Sequence, residues 1–191
     1  MKKEFSMITI ALIPVAIALN ITVGQMVSLL KLPVYMDCMG TVLVAITCGP
    51  LAGALTGALS NLVWGLFSPS ALPFIPVAAW IGFVAGVCAR CGFFSTWWQA
   101  AMAGLVVALT TPFVATPIVV YVYGGVEGSG ASLITAILVK SGVKIGSAAF
   151  YKNLMVEPVD KIPTVLMAFA VVRGMSQRYL SKFPMAAKIA H

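Results

Sequence analysis

The chain has 191 residues, of which 61% are hydrophobic and 9% charged, and its formal net charge is +7. Globular domains carry roughly 45–50% apolar and about 25% charged residues, so a soluble domain, a disordered chain and a nucleic-acid binder are excluded. A membrane-spanning helix takes about 20 apolar residues, so six would use about 120 and leave little for a soluble catalytic domain.

The first apolar run follows Lys2-Lys3 and extends from about Met7 to Leu30. Its start resembles a signal peptide, and Ala16-Ile17-Ala18 mimics a cleavage site. The apolar pattern continues well past that point, so the run reads as an uncleaved first span carrying Pro14, Asn20, Gly24 and Gln25. Lys31-Leu32-Pro33 ends it. A short second span is predicted from Met36 to Cys48, closed by a turn at Gly49-Pro50, because proline breaks the preceding hydrogen-bond ladder. The third runs from Leu51 to Phe67 and the fourth from Phe74 to Cys88, with Ser68-Pro69-Ser70 and Pro73 between them. The fifth runs from Trp97 to Val122 and contains Pro112 and Pro117, which neighbouring helices make tolerable.

A glycine-rich loop, Gly124 to Gly130, comes next. Residues 131–152 have a helical pattern but carry Lys140, Lys144 and Lys152. Positions 140 and 144 share a helix face, and a charge near the bilayer centre costs several kcal/mol. This stretch therefore reads as an amphipathic or re-entrant helix, and 123–159 as an outer, lid-like segment. The last span is predicted from Asp160 to Arg178. The expected fold is a single all-α integral membrane domain with six transmembrane helices and a long, partly helical outer segment between the fifth and sixth. Lys2 and Lys3 at one end, and Arg173, Arg178, Lys182 and Lys188 at the other, place both termini in the cytoplasm by the positive-inside rule. Arg90 then falls in a cytoplasmic turn, while Lys31, Lys140, Lys144 and Lys152 fall outside, against the rule.

The clearest spacing is Gly49, Gly53, Gly57 and Gly65, with Asn61 in the missing fourth place. Residues four apart lie on one helix face, and such a small-residue stripe lets another helix approach closely. Gly82 and Gly86 repeat the pattern. The bland reading of the glycines is packing alone. Asp37 opens the second span, where the helix dipole favours an acid; the rival reading is a ligand contact. Asn20, Gln25, Asn61, Thr110, Thr111 and Thr116 are polar at comparable depth. Trp64, Trp80 and Tyr121 lie in the outer halves, with Tyr35 just outside. Each aromatic alone also fits an interfacial belt. Together these groups describe a mostly apolar pocket with a few polar contacts, as small-ligand sites look.

The acids are scattered, and no paired-carboxylate constellation is visible. Cys88-Ala89-Arg90-Cys91 is a lone CxxC, short of the ligands a zinc or redox site needs. The single histidine is His191, and no nucleotide-binding or hydrolase motif occurs. Enzyme activity, a metal and a cofactor are therefore not expected, and any ATP-driven role needs a partner.

The stretch Leu32-Pro33-Val34-Tyr35-Met36-Asp37, then Gly40-Thr41, then Gly49 to Gly57, then Ser60-Asn61-Leu62, resembles the substrate-binding S components of energy-coupling factor transporters. The loop Tyr123 to Gly130 and the pair Asp160-Lys161 are similar to one branch of that family. The resemblance implies a six-helix protein of the bacterial cell (inner) membrane that captures a vitamin-like small molecule from outside. It implies a transmembrane coupling subunit and two cytoplasmic ATPases as partners, and a toppling of the whole protein in the bilayer to release its ligand inside. The family docks through Ala-x-x-x-Ala on the first helix. Here Ala11 is followed four positions on by Val15, with Pro14 between, and Ala16 and Asn20 are the next four-spaced pair. Ala11, Val15 and Ala16 are the expected docking residues.

The expected ligand contacts are Asp37, Asn61, Trp64 and Trp80, with Asn20 and Thr116 behind them. Asp37 would accept hydrogen bonds or balance a cationic group, Asn61 would donate and accept, and the tryptophans would stack on a flat ring. That reading points to a small ring compound such as a vitamin B6 form, a pyrimidine or a vitamin precursor. The rival classes are a stand-alone secondary carrier or channel, and a membrane enzyme or small structural subunit.

Overall fold

A computed structural model describes residues 4–30, 32, 34–127 and 130–185, and the described residues are helical with no strand. Lys2, Lys3, Lys31, Pro33, Lys188 and His191, together with residues 128 and 129 of the glycine-rich loop, lie outside them. The helices are α1 (Met7–Leu29), α2 (Met39–Cys48), α3 (Pro50–Gly65), α4 (Ile75–Arg90), α5 (Trp97–Tyr123), α6 (Ser132–Lys140), α7 (Ile145–Gly174) and α8 (Gln177–Leu180), with a 3-10 helix at Pro69–Phe74 leading into α4. Among the described residues, three stretches are long and apolar enough to cross a membrane: Met7–Leu29, Pro69–Arg90 and Trp97–Tyr123. This is the architecture of a membrane protein.

Short α2 forms the centre of the bundle. Every residue from Gly40 to Cys48 is buried, because α1, α3, α4 and α7 all pack around it. A helix that is apolar on all sides needs such an enclosure. Gly40 lets α1 in: a Cβ there would overlap the Ala16 carbonyl. The glycine stripe on α3 does the same for α4. A Cβ on Gly57 would overlap the Ala78 carbonyl, Gly82 lies against the Gly53 carbonyl, and Gly86 lies against Pro50. Gly49 makes the α2–α3 turn at φ +119°, where L side chains are strained.

The largest departure from the sequence reading is α7. The helix does not begin at Asp160; it runs unbroken for 30 residues from Ile145, through Pro158 and Pro163. It pairs along its length with α5. Its buried face repeats at helical spacing, from Ala148 and Lys152 through Val156 and Asp160 to Val172. Residues 131–152 are not one helix either. The chain turns at Gly142, with φ +91°, so exposed Lys140 ends α6 while exposed Lys144 precedes α7, and they share no helix face. The lid-like segment thus ends near Lys144, and its second half belongs to a core helix.

The described chain ends lie at the same end of the bundle. The Glu4 carboxylate accepts the Leu51 N–H at 2.9 Å and pairs with Arg90. Near the other end, the Met185 N–H donates to the Thr47 carbonyl at 3.0 Å. The loops after α1, α3 and α5 gather at the opposite end, where Tyr123 donates to the Ser70 carbonyl at 2.5 Å and stacks on Phe74.

Candidate functional site

A cavity of about 500 Å³ opens at that opposite end, among α1, α3, α4, α5, α7 and the loops between them. Asp37, Asn61 and Trp64, all expected contacts, line it together. Trp64 fits because α1 carries Gly24 where the indole edge lies; a Cβ there would overlap the ring and stand 3.0 Å from Asp37 Cβ. α2 contributes its first turn through Thr41, and below that point the helix is wholly buried.

The remaining expected contacts lie elsewhere. Asn20 is fully buried but spent on internal bonds. Its amide donates to Thr41 Oγ1 at 2.8 Å and Ser60 Oγ at 2.9 Å, and its carbonyl accepts the Gly40 N–H at 2.6 Å. It therefore positions Thr41 and Ser60, which do line the cavity. Thr116 accepts from Asn153 at 3.0 Å and orients that lining amide from behind. Trp80 faces outward, with its ring 6.3 Å from Phe83. Tyr121 is almost fully exposed, and Thr110 and Thr111 donate to carbonyls of their own helix. On α1, Ala11 and Val15 lie on the exposed face, but Ala16 is buried against α2 and presents nothing to a partner. Cys88 is buried and Cys91 exposed, and no third ligand joins them among the described residues.

Four of the five acids, scattered in sequence, converge on this site. Helix α7 carries Lys152, Asn153, Glu157, Asp160 and Lys161 on its buried face. Asp160 is fully buried, and its Oδ1 accepts the backbone N–H groups of Tyr35 at 3.0 Å and Met36 at 2.7 Å, while Oδ2 pairs with Lys161. These bonds hold Met36 at φ +48°, a left-handed conformation that costs a non-glycine residue energy. Lys152 pairs with Glu127 at 2.6 Å, and Glu127 also accepts the Tyr35 hydroxyl at 2.5 Å. Glu157 lines the cavity, 3.6 Å from the Lys161 ammonium. Its Oε2 is buried and has no hydrogen-bond partner among the described residues.

Sequence reasoning missed Glu157, Lys161 and Asn153 as lining residues. Their spacing of four was available as a signal, but it crosses the point where the last span was expected to begin. Chemically, the site offers hydrogen-bonding side chains, carboxylates and aromatic faces around one volume. The chain matches no family model, and no curated protein or solved structure matches it.

Proposed function

We propose that this protein is the membrane-embedded substrate-binding subunit of an ATP-driven importer, like the energy-coupling factor S components that its sequence resembles. It captures a small vitamin or vitamin precursor from outside the cell and hands it to a coupling subunit served by two cytoplasmic ATPases. In this reading α1, α2, α3, α4, α5 and α7 make six crossings of a bacterial cell membrane, with both termini cytoplasmic. Short α2 and charged α7 are shielded from lipid by neighbouring helices, which is where irregular or polar segments are tolerated in membranes.

The observation that carries the proposal is the cavity. Its volume of about 500 Å³ falls within the roughly 300–1,000 Å³ typical of small-ligand sites. It lies at the end away from the described chain ends, and α2 beyond Thr41 is wholly buried. That arrangement suits capture better than conduction. Residues 123–127 supply the cover: Gly124 and Gly125 have positive φ, Tyr123 holds the loop before α4, and Glu127 reaches the wall. Ala11 and Val15 form part of an exposed α1 face for the coupling subunit.

A second reading, a stand-alone secondary carrier, draws on the buried charges of α7, since intramembrane ionisable groups serve ion coupling in carriers. Vesicle uptake separates the two. With growth-medium vitamins as radiolabelled substrates, uptake is expected to require the coupling subunit, the ATPases and ATP. Equal uptake by the chain alone, driven by an ion gradient, would replace the importer reading with the carrier.

A further inference from the structure

The charge balance around the cavity is uneven. Among the described residues, Asp37, Glu127, Glu157 and Asp160 are set against Lys152 and Lys161, a formal excess of two negative charges. The short contact of each ammonium is already taken, Lys152 by Glu127 and Lys161 by Asp160. Two carboxylates remain. Asp37 lines the cavity without an ion pair among the described residues. Glu157 is 4% exposed, and its Oε2 has the Lys161 ammonium at 3.6 Å but no hydrogen-bond partner among the described residues. A buried acceptor left in this state is destabilising unless something else satisfies it.

We propose that the cavity takes an organic cation: a small planar ring bearing a protonated nitrogen, held by Asp37 and Glu157 with its flat face toward Trp64. This rests on the substrate-binding reading above and names the chemical class of the ligand. A protonated amine or amidine supplies an ion-pair partner to Asp37 and a close N–H donor to Glu157, whose Lys161 ammonium stands 3.6 Å away. Trp64 and Phe74 line the same volume, and aromatic faces attract cations. An anion would face two like charges, which selects against it. A neutral ring would leave Asp37 without an ion pair and Glu157 with its longer contact to Lys161. An inorganic ion is too small: a water-sized species takes about 30 Å³, against a cavity of about 500 Å³. No group of three His, Cys, Asp or Glu side chains that could hold a metal occurs among the described residues.

The test uses three planar probes of nearly equal shape: benzamidinium, benzamide and benzoate. Each is titrated by calorimetry into the purified full chain in lipid nanodiscs. Benzamidinium is expected to bind at least about tenfold more tightly than either of the others, and Asp37→Asn and Glu157→Gln each to cut that preference about tenfold. Benzamide or benzoate binding as tightly as benzamidinium would overturn the cation assignment and leave the substrate-binding reading standing, since the cavity would still take a small molecule. No binding of any probe at millimolar concentration, by protein shown folded by its melting transition, would overturn both. The melting transition also checks the role of Glu157. Glu157→Gln is expected to melt at or above wild type, because Lys161, its longer ion-pair partner, keeps the closer contact to Asp160. A clear fall would instead make Glu157 a structural partner of Lys161 and overturn its assignment to the ligand.

Discussion

Asp160 carries more of the site's architecture than any residue that touches the cavity. One of its oxygens fastens the backbone of Tyr35 and Met36, and the other holds Lys161. Breaking a buried pair by removing one charge leaves the other uncompensated, at a cost of about 3–5 kcal/mol. Asp160→Asn is therefore expected to lower stability by about 3 kcal/mol, measured as equilibrium unfolding in detergent, and to release the 34–38 loop to faster hydrogen exchange. Unchanged stability and exchange would show that the two N–H bonds suffice without the ion pair. The sequence marks Asp37, Asn61 and Trp64 as contacts because polar and aromatic groups at one depth are legible from spacing alone. It misplaces Asn20 for a physical reason. A buried amide must be satisfied, and nothing in spacing tells whether a ligand or Thr41, Ser60 and Gly40 will satisfy it.

The decisive features among the elements are glycines and one long helix. Gly53 and Gly57 on α3 and Gly82 and Gly86 on α4 let the two helices meet at backbone distance, so the packing reading of that stripe is the one that the fold uses. Overpacking such a contact typically costs about 1–3 kcal/mol. Gly57→Val is expected to fall in that range in detergent unfolding and to widen the cavity wall formed by Asn61 and Trp64 on the same helix. A fully wild-type melt would mean that α3 and α4 separate without penalty. The start of α7 was not legible, because Lys152, Glu157, Asp160 and Lys161 argue against a buried apolar helix, and Pro158 and Pro163 invite a break. Burial becomes affordable only when Glu127, Tyr35 and the 35–36 backbone arrive from distant parts of the chain to meet those charges. Long-range partners of this kind leave no local trace in sequence.

The whole molecule has two unlike ends. The described termini, Arg90 and the α2–α3 turn share one end, and the cavity, its cover and the cluster of acids share the other. The proposed uptake role uses that polarity: the protein would sample solute at the cavity end and present its apolar flank and opposite end to a coupling subunit. The central claim is that the cavity holds a small molecule, and native mass spectrometry of protein expressed in rich medium and purified in mild detergent addresses it most directly. The expected spectrum shows one small molecule per chain, lost from an Asp37→Ala, Trp64→Ala double variant that still melts cooperatively. The same molecule retained at equal occupancy by that variant would place binding outside the cavity and contradict the account.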